Sequence, residues 1–288
     1  MITPKTRYCK LLLVKNLTTP FKTKYSAMLK KEKCIQAIQK WAETKSDFSK
    51  VNKLIDPTKG FRFDKSDREW LKKNNDNSQF HIYAGVHDDK FILILVPLDK
   101  EGAEVQLDKY LTKKLSHLKY DITLVEKEVV TTVSKTRLSK SLEIEKFWQE
   151  VDYPVINEPS ITEKASAKDI EQWKYNCLDW FYYECTTFKG KYIFNAFTVP
   201  YADLESGDED QDDVVALFGF KKSFIYQKHL PILIFIATNH KEGNPIEVRT
   251  GKILKVNSDQ TSTLPVNTLD WVHPCPPLCK DRPTYGFL

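Results

Sequence analysis

Three side chains with zinc-compatible donor atoms fall within seven residues near the end of the chain: His273, Cys275 and Cys279, in His273-Pro274-Cys275-Pro276-Pro277-Leu278-Cys279. Thiolates and an imidazole suit zinc. The Cys-x3-Cys spacing is loose, however, and no second Cys/His pair lies nearby, so a fourth ligand has to come from elsewhere, Cys177 or Cys185. The competing reading is a proline-rich tail packing its thiols over the core. Zinc is therefore an allowed cofactor, not a required one. A small metal-dependent hydrolase near this segment is one alternative function.

Calcium fits less well. Asp208, Asp210 and Asp212 match the first three ligand positions of a calcium loop, but Asp213 stands where glycine is needed and Gly219 where glutamate is needed. A solvated hairpin loop explains these carboxylates better. For nucleophilic catalysis the chain has no G-x-S-x-G, P-loop, G-x-G-x-x-G or H-E-x-x-H. His81, His87, His229 and His240 fall beside strand ends, which predicts surface or turn positions. His87-Asp88-Asp89 occupies a hairpin turn.

Stacking chemistry has a stronger compositional signal. Residues 173–201 hold eleven aromatics. Trp173, Trp180 and Phe181 share one helical face and are expected in the core, whereas Tyr175 and Tyr182, seven apart, form a second and more exposed stripe. Rings of this kind bind nucleobases when lysines accompany them. Lysines are concentrated at the other end of the chain: the first fifty residues hold 12 basic and 3 acidic side chains. Lys22, Lys24, Lys30 and Lys31 are the candidate binding residues there, and Tyr175 and Tyr182 those of the aromatic segment, where core or domain-interface packing is the favoured reading and a stacking surface the second. Residues 1–150 carry a balance of +10 and residues 151–288 a balance of −5. That asymmetry allows an anionic partner, although lysine-rich helix faces or attraction between the halves explain it better.

The elements that must position these groups are readable from periodicity. Arg7–Lys15 reads as a strand, and Tyr25–Thr44 as a helix through Met28, Leu29, Ile35, Ile38 and Trp41. Phe61–Phe63 is a short strand and Ser66–Glu69 opens a helical turn. Phe80–His87, a turn at Asp88-Asp89-Lys90 and Phe91–Leu98 form a hairpin whose return strand is apolar on both faces. Apolar spacing predicts a helix over 104–118, β structure over 120–133 and an amphipathic helix over 139–151. In the second part, Ser166 is expected to cap a helix over 167–184. A strand follows over 191–199, then the strand pair 214–226 and 229–238, a hairpin over 245–256 and an irregular proline-rich tail.

Two strand-sized apolar runs, Phe91–Leu98 and Pro231–Thr238, each follow a short strand with an internal glycine, Gly85 or Gly219. Trp41 and Trp173, and Lys59-Gly60 and Lys189-Gly190, recur at offsets of 132 and 130. The predicted fold is α+β: two similar halves from an internal duplication, each a mainly antiparallel β-sheet with helices packed on one face. The halves are 1–152, basic, and 161–288, acidic with the proline-rich tail, and the groove between them is the default ligand site.

Nothing in the chain reads as a signal peptide, and its longest apolar runs are too short for a membrane span. Six scattered cysteines suggest reduced thiols, and the expected setting is a soluble protein of the cytoplasm. The leading expectation is a non-enzymatic binding or assembly protein that contacts another protein. A nucleic-acid-binding module using the basic N-terminal half is the first alternative.

Overall fold

The computed structural model of the chain describes residues 27–118, 163–205, 212–223, 228–239, 268–269, 273–276 and 285–288. In order these form β1 (Met28–Lys30), α1 (Lys31–Thr44), α2 (Phe48–Leu54), β2 (Phe61–Phe63), α3 (Lys65–Asn74), β3 (Gln79–His87), β4 (Lys90–Val96), β5 (Lys109–Lys114) and α4 (Glu163–Phe188). β6 (Ala196–Pro200), α5 (Ala202–Glu205), β7 (Asp212–Lys222), β8 (His229–Asn239), β9 (Thr268–Leu269) and β10 (His273–Cys275) follow. The fold is α+β, with one sheet ordered β1-β5-β4-β3-β6-β10 and a second ordered β2-β7-β8-β9. Every described pairing is antiparallel.

The hairpin β3–β4 shows how sequence sets the first sheet. Asp88 and Asp89 both take positive φ, 48° and 53°, which matches the turn to the right-handed twist of the strands and fixes the register His87↔Lys90. Period-two alternation then sorts the side chains. Phe91, Leu93 and Leu95 enter the core shared by the two sheets, while Ile92, Ile94 and Val96 join Cys34, Ala37 and Ile38 of α1 on the outer face. The shared core is filled with rings: Phe91 lies 6.2 Å from Phe61 and 6.3 Å from Phe218, each measured between ring centroids.

The second hairpin, β7–β8, is built alike. Gly85 pairs with Ile92 and Gly219 with Ile232. A Cβ on Gly85 would meet Ala37 Cβ and Ile94 Cδ1, both at 3.1 Å; on Gly219 it would meet Ile234 Cδ1 at 2.7 Å and Asp169 Cβ at 3.4 Å. Each glycine thus lets a helix lie directly on its strand. Four residues beyond each helix contact stands a buried tryptophan, Trp41 or Trp173, reaching into the shared core. The short strands cross over: β2, from the first half, pairs with β7, and β6, from the second, pairs with β3. The two sheets therefore do not divide along the boundary between 152 and 161.

Several elements differ from the periodicity. Residues 104–118 form no helix: Tyr110, Leu111 and Thr112 complete the edge of β4 as part of β5, and the three- and four-residue apolar spacing yields to strand pairing. Residues 28–30, read as helix, are β1 on the edge of β5, so α1 begins only at Lys31. Most of the strand predicted over 191–199 is a turn, with β6 starting at Ala196. Ser166 lies buried inside α4, not at its cap. Asp213, read as part of a solvated loop, is buried in β7 and ion-paired with Arg62. The elements predicted over 7–15, 120–133, 139–151 and 245–256 lie outside the described residues.

Candidate functional site

α4 presents two faces because its apolar residues recur at helical spacing. Trp173, Cys177 and Phe181 point into the shared core. On the other side Tyr175 (65% exposed), Tyr182 (56%) and Tyr183 (50%) face outward, and Tyr192 (40%) follows in the turn after the helix. The stripe expected of Tyr175 and Tyr182 is exposed; the two lie about 10 Å apart along the axis at 1.5 Å per residue. Tyr182 is braced edge-on by Phe48 of α2, ring centroids 5.3 Å apart.

Lysines accompany these rings, and they are not the ones the sequence singles out. Lys174 Nζ lies 5.1 Å from the Tyr175 ring centroid and Lys191 Nζ 5.5 Å from that of Tyr192. Lys228, far along the chain, reaches Phe188 at 5.1 Å and Tyr192 at 5.6 Å. Glu171 and Asp179 are the exposed acids of the same helix. Lys30 and Lys31 stand at the opposite end of α1 from the contacts that end makes with α4, about 20 Å away by helix length. Lys22 and Lys24 lie outside the described residues.

Beside the N-terminal half of α4 is a groove of about 200 Å³ that takes residues from both halves of the chain. Its apolar lining is Pro57, Leu118, Ile170, Leu217 and Phe218, with Lys59 and Lys174 contributing cationic side chains. The wall at 56–59 is a side-chain-closed turn. Asp56 Oδ1 accepts from Thr58 N (3.0 Å) and Thr58 Oγ1 (2.7 Å), and Oδ2 pairs with Lys59 Nζ at 3.0 Å. The Thr58 hydroxyl, ahead of Lys59, holds the Asp56 carboxyl down at about 2. Gly60 lets this wall approach β7: a Cβ there would meet Leu217 Cδ2 at 2.5 Å and Ala216 O at 2.9 Å.

A separate polar cluster lies under the C-terminal residues. His81, read from sequence as a surface residue, is 3% exposed, because its position on β3 faces the α1 side of the sheet. Its Nδ1 is 2.8 Å from Glu104 Oε1, which also accepts from Tyr83 OH; Gly286 N–H donates to Oε2 at 2.9 Å. The Tyr285 ring stacks on His81 at 4.3 Å and its hydroxyl meets Thr198 Oγ1 at 2.7 Å. Burial, then the Glu104 carboxylate, push the Tyr83 phenol far up. The 23-residue separation of His81 and Glu104 carries no sequence signal; strand pairing alone joins them.

Cysteine chemistry is muted. Burial raises the free thiols of Cys34 and Cys177 to about 12 and that of Cys185 to about 11, so none of these three is a thiolate at neutral pH. Cys275 is disulfide-bonded, which differs from the expected reduced thiols. Cys279 lies outside the described residues. Among the described residues no group of three or more His, Cys, Asp or Glu is placed to hold a metal ion, and no helix is long and apolar enough to cross a membrane.

No protein-family model, curated protein or solved structure matches this chain.

Proposed function

We propose that this chain is a non-enzymatic binding protein, and that its partner is a single-stranded nucleic acid lying along the tyrosine–lysine face of α4 and the turn that follows. One observation carries this reading: lysine ammonium groups stand over the exposed rings of Tyr175 and Tyr192 and over the half-buried ring of Phe188. Exposed rings stack bases without regard to sequence, and the neighbouring charges neutralise phosphates. The tyrosines would serve a protein partner too, since tyrosine is enriched at interface hot spots. The lysines separate the two readings, because protein interfaces are depleted in lysine. The anionic partner thus moves from the basic first fifty residues to α4.

Fluorescence anisotropy with a labelled oligothymidylate tests this. Binding is expected to weaken steeply between about 50 and 200 mM salt. Tyr175→Ala with Tyr182→Ala is expected to cost about tenfold or more, from about 1–3 kcal/mol per stacked base. Absence of binding at low salt removes the reading and leaves a protein partner, to be sought by cross-linking on the same face.

The architecture is read here as a duplication in which the two halves exchange their short strands. What supports it is the shared arrangement of helix, glycine strand and isoleucine strand, with Gly85 and Gly219, and Trp41 and Trp173, in matching places. Crystallographic coordinates in which α1-β3-β4 fail to superpose on α4-β7-β8 with these pairs in register would sink it.

A further inference from the structure

We infer that the groove beside α4 is a slot for one nucleobase, with the adjoining phosphate held by Lys59 and Lys174; this rests on the reading of α4 as a strand-binding face. The groove and the tyrosine face share a residue. Lys174 lines the groove while its ammonium lies 5.1 Å from the centroid of the Tyr175 ring, so a strand on Tyr175 passes the groove's mouth. At about 200 Å³ the space is smaller than the ~300–1,000 Å³ of sites for whole drug-sized ligands. It suits a single ring system.

The lining matches that occupant. Pro57, Leu118, Ile170 and Leu217 give apolar walls over Phe218, and no acidic side chain is among the described lining residues. Thr58 is the one neutral polar side chain there, and its hydroxyl already donates to Asp56. Such a slot takes a base by shape and apolar contact, without reading its edge, as sequence-tolerant strand binders do. Asp56 is close by, yet it engages Lys59 through one contact at 3.0 Å, and an ammonium has three donors. The Asx turn holds Lys59 in place before a phosphate arrives. Gly60 fixes the depth of the slot by letting that turn rest on β7.

Leu118, 38% exposed at the edge of the groove, is the position to fill. Anisotropy is measured for wild type, Leu118→Trp and, as a second filling variant, Leu118→Tyr, with labelled oligothymidylate and with a strand of equal length whose sugars lack bases. Both variants should keep the wild-type melting midpoint, bind the thymidylate strand about tenfold more weakly, and bind the abasic strand as wild type does. Unchanged thymidylate affinity in both variants, with loss in the Tyr175→Ala, Tyr182→Ala protein, overturns the slot and leaves the α4 reading intact. Equal weakening on both strands also overturns it, because the effect then lies in backbone contacts. If wild type binds neither strand, the slot and the α4 reading fall together. Thymidine monophosphate as competitor separates the sources: displacement from wild type means that a free nucleotide enters the slot, and its absence means that only a strand held on α4 does.

Discussion

Glu104 accepts from Tyr83 OH and Gly286 N–H and lies 2.8 Å from His81 Nδ1. Removing it leaves the buried His81 and Tyr83 without that partner. Glu104→Ala is expected to cost about 3–5 kcal/mol in urea unfolding, and Glu104→Gln clearly less, since an amide oxygen still accepts. Lys45 is the opposite case, a buried ammonium whose one hydrogen bond goes to Ile193 O at 2.9 Å. Burial lowers its pKa from 10.5 to about 8. Between those values the unfolded chain binds the proton and the folded chain does not, so stability rises with pH across that window. Below about 8 the cost is fully present. Lys45→Met is therefore expected to stabilise the protein at neutral pH by about 1–3 kcal/mol, with the gain shrinking as pH rises from about 8 to 10.5. Glu184 is raised by burial, with one oxygen lacking a partner. Its folded pKa exceeds the ordinary 4.5, so stability falls as pH rises through that range, and Glu184→Gln should help at neutral pH but not in acid.

At the scale of elements, the Asp56–Gly60 turn and β7 show how a small residue positions a candidate site. Gly60→Ala places a methyl 2.5 Å from Leu217 Cδ2, and the loop or strand must shift. A loss of about 1–3 kcal/mol is expected by thermal unfolding, with weaker oligothymidylate binding as the groove opens. A variant as stable as wild type would show that the turn can lift at no cost. The hairpin β3–β4 was legible because alternation, an Asp-Asp turn and a two-faced apolar strand all agree. β5 was not: Val105, Leu107, Tyr110 and Leu111 fit a helix as well as a strand, and only the open edge of β4 decides between them.

For the whole molecule the pairing of β2 with β7 and of β6 with β3 is decisive. Each sheet contains a strand from the other half, and the shared core mixes Trp41, Phe80 and Leu93 with Trp173, Phe218 and Phe235. A fragment of residues 1–152 loses β6 from the edge of β3 and leaves β2 without β7. We expect that fragment alone to show no cooperative unfolding by circular dichroism, and mixing with residues 161–288 to restore it. A cooperative transition in the isolated fragment would show that these pairings are dispensable.

The sequence by itself determined what depends on near neighbours along the chain. Period-two and helical spacing marked the buried hairpin strands, the core face of α4 and its outward tyrosines, because burial of a regular element repeats with the element's own period. Only the tertiary structure decided which distant residues meet. It put Lys228 over Phe188, Glu104 under His81, and Leu118 opposite Ile170 across one groove. It also set Lys174 over Tyr175, and Lys191 and Lys228 over Tyr192. Those contacts are set by strand order and by which strand edge is left open for pairing, and strand order leaves no period in a sequence.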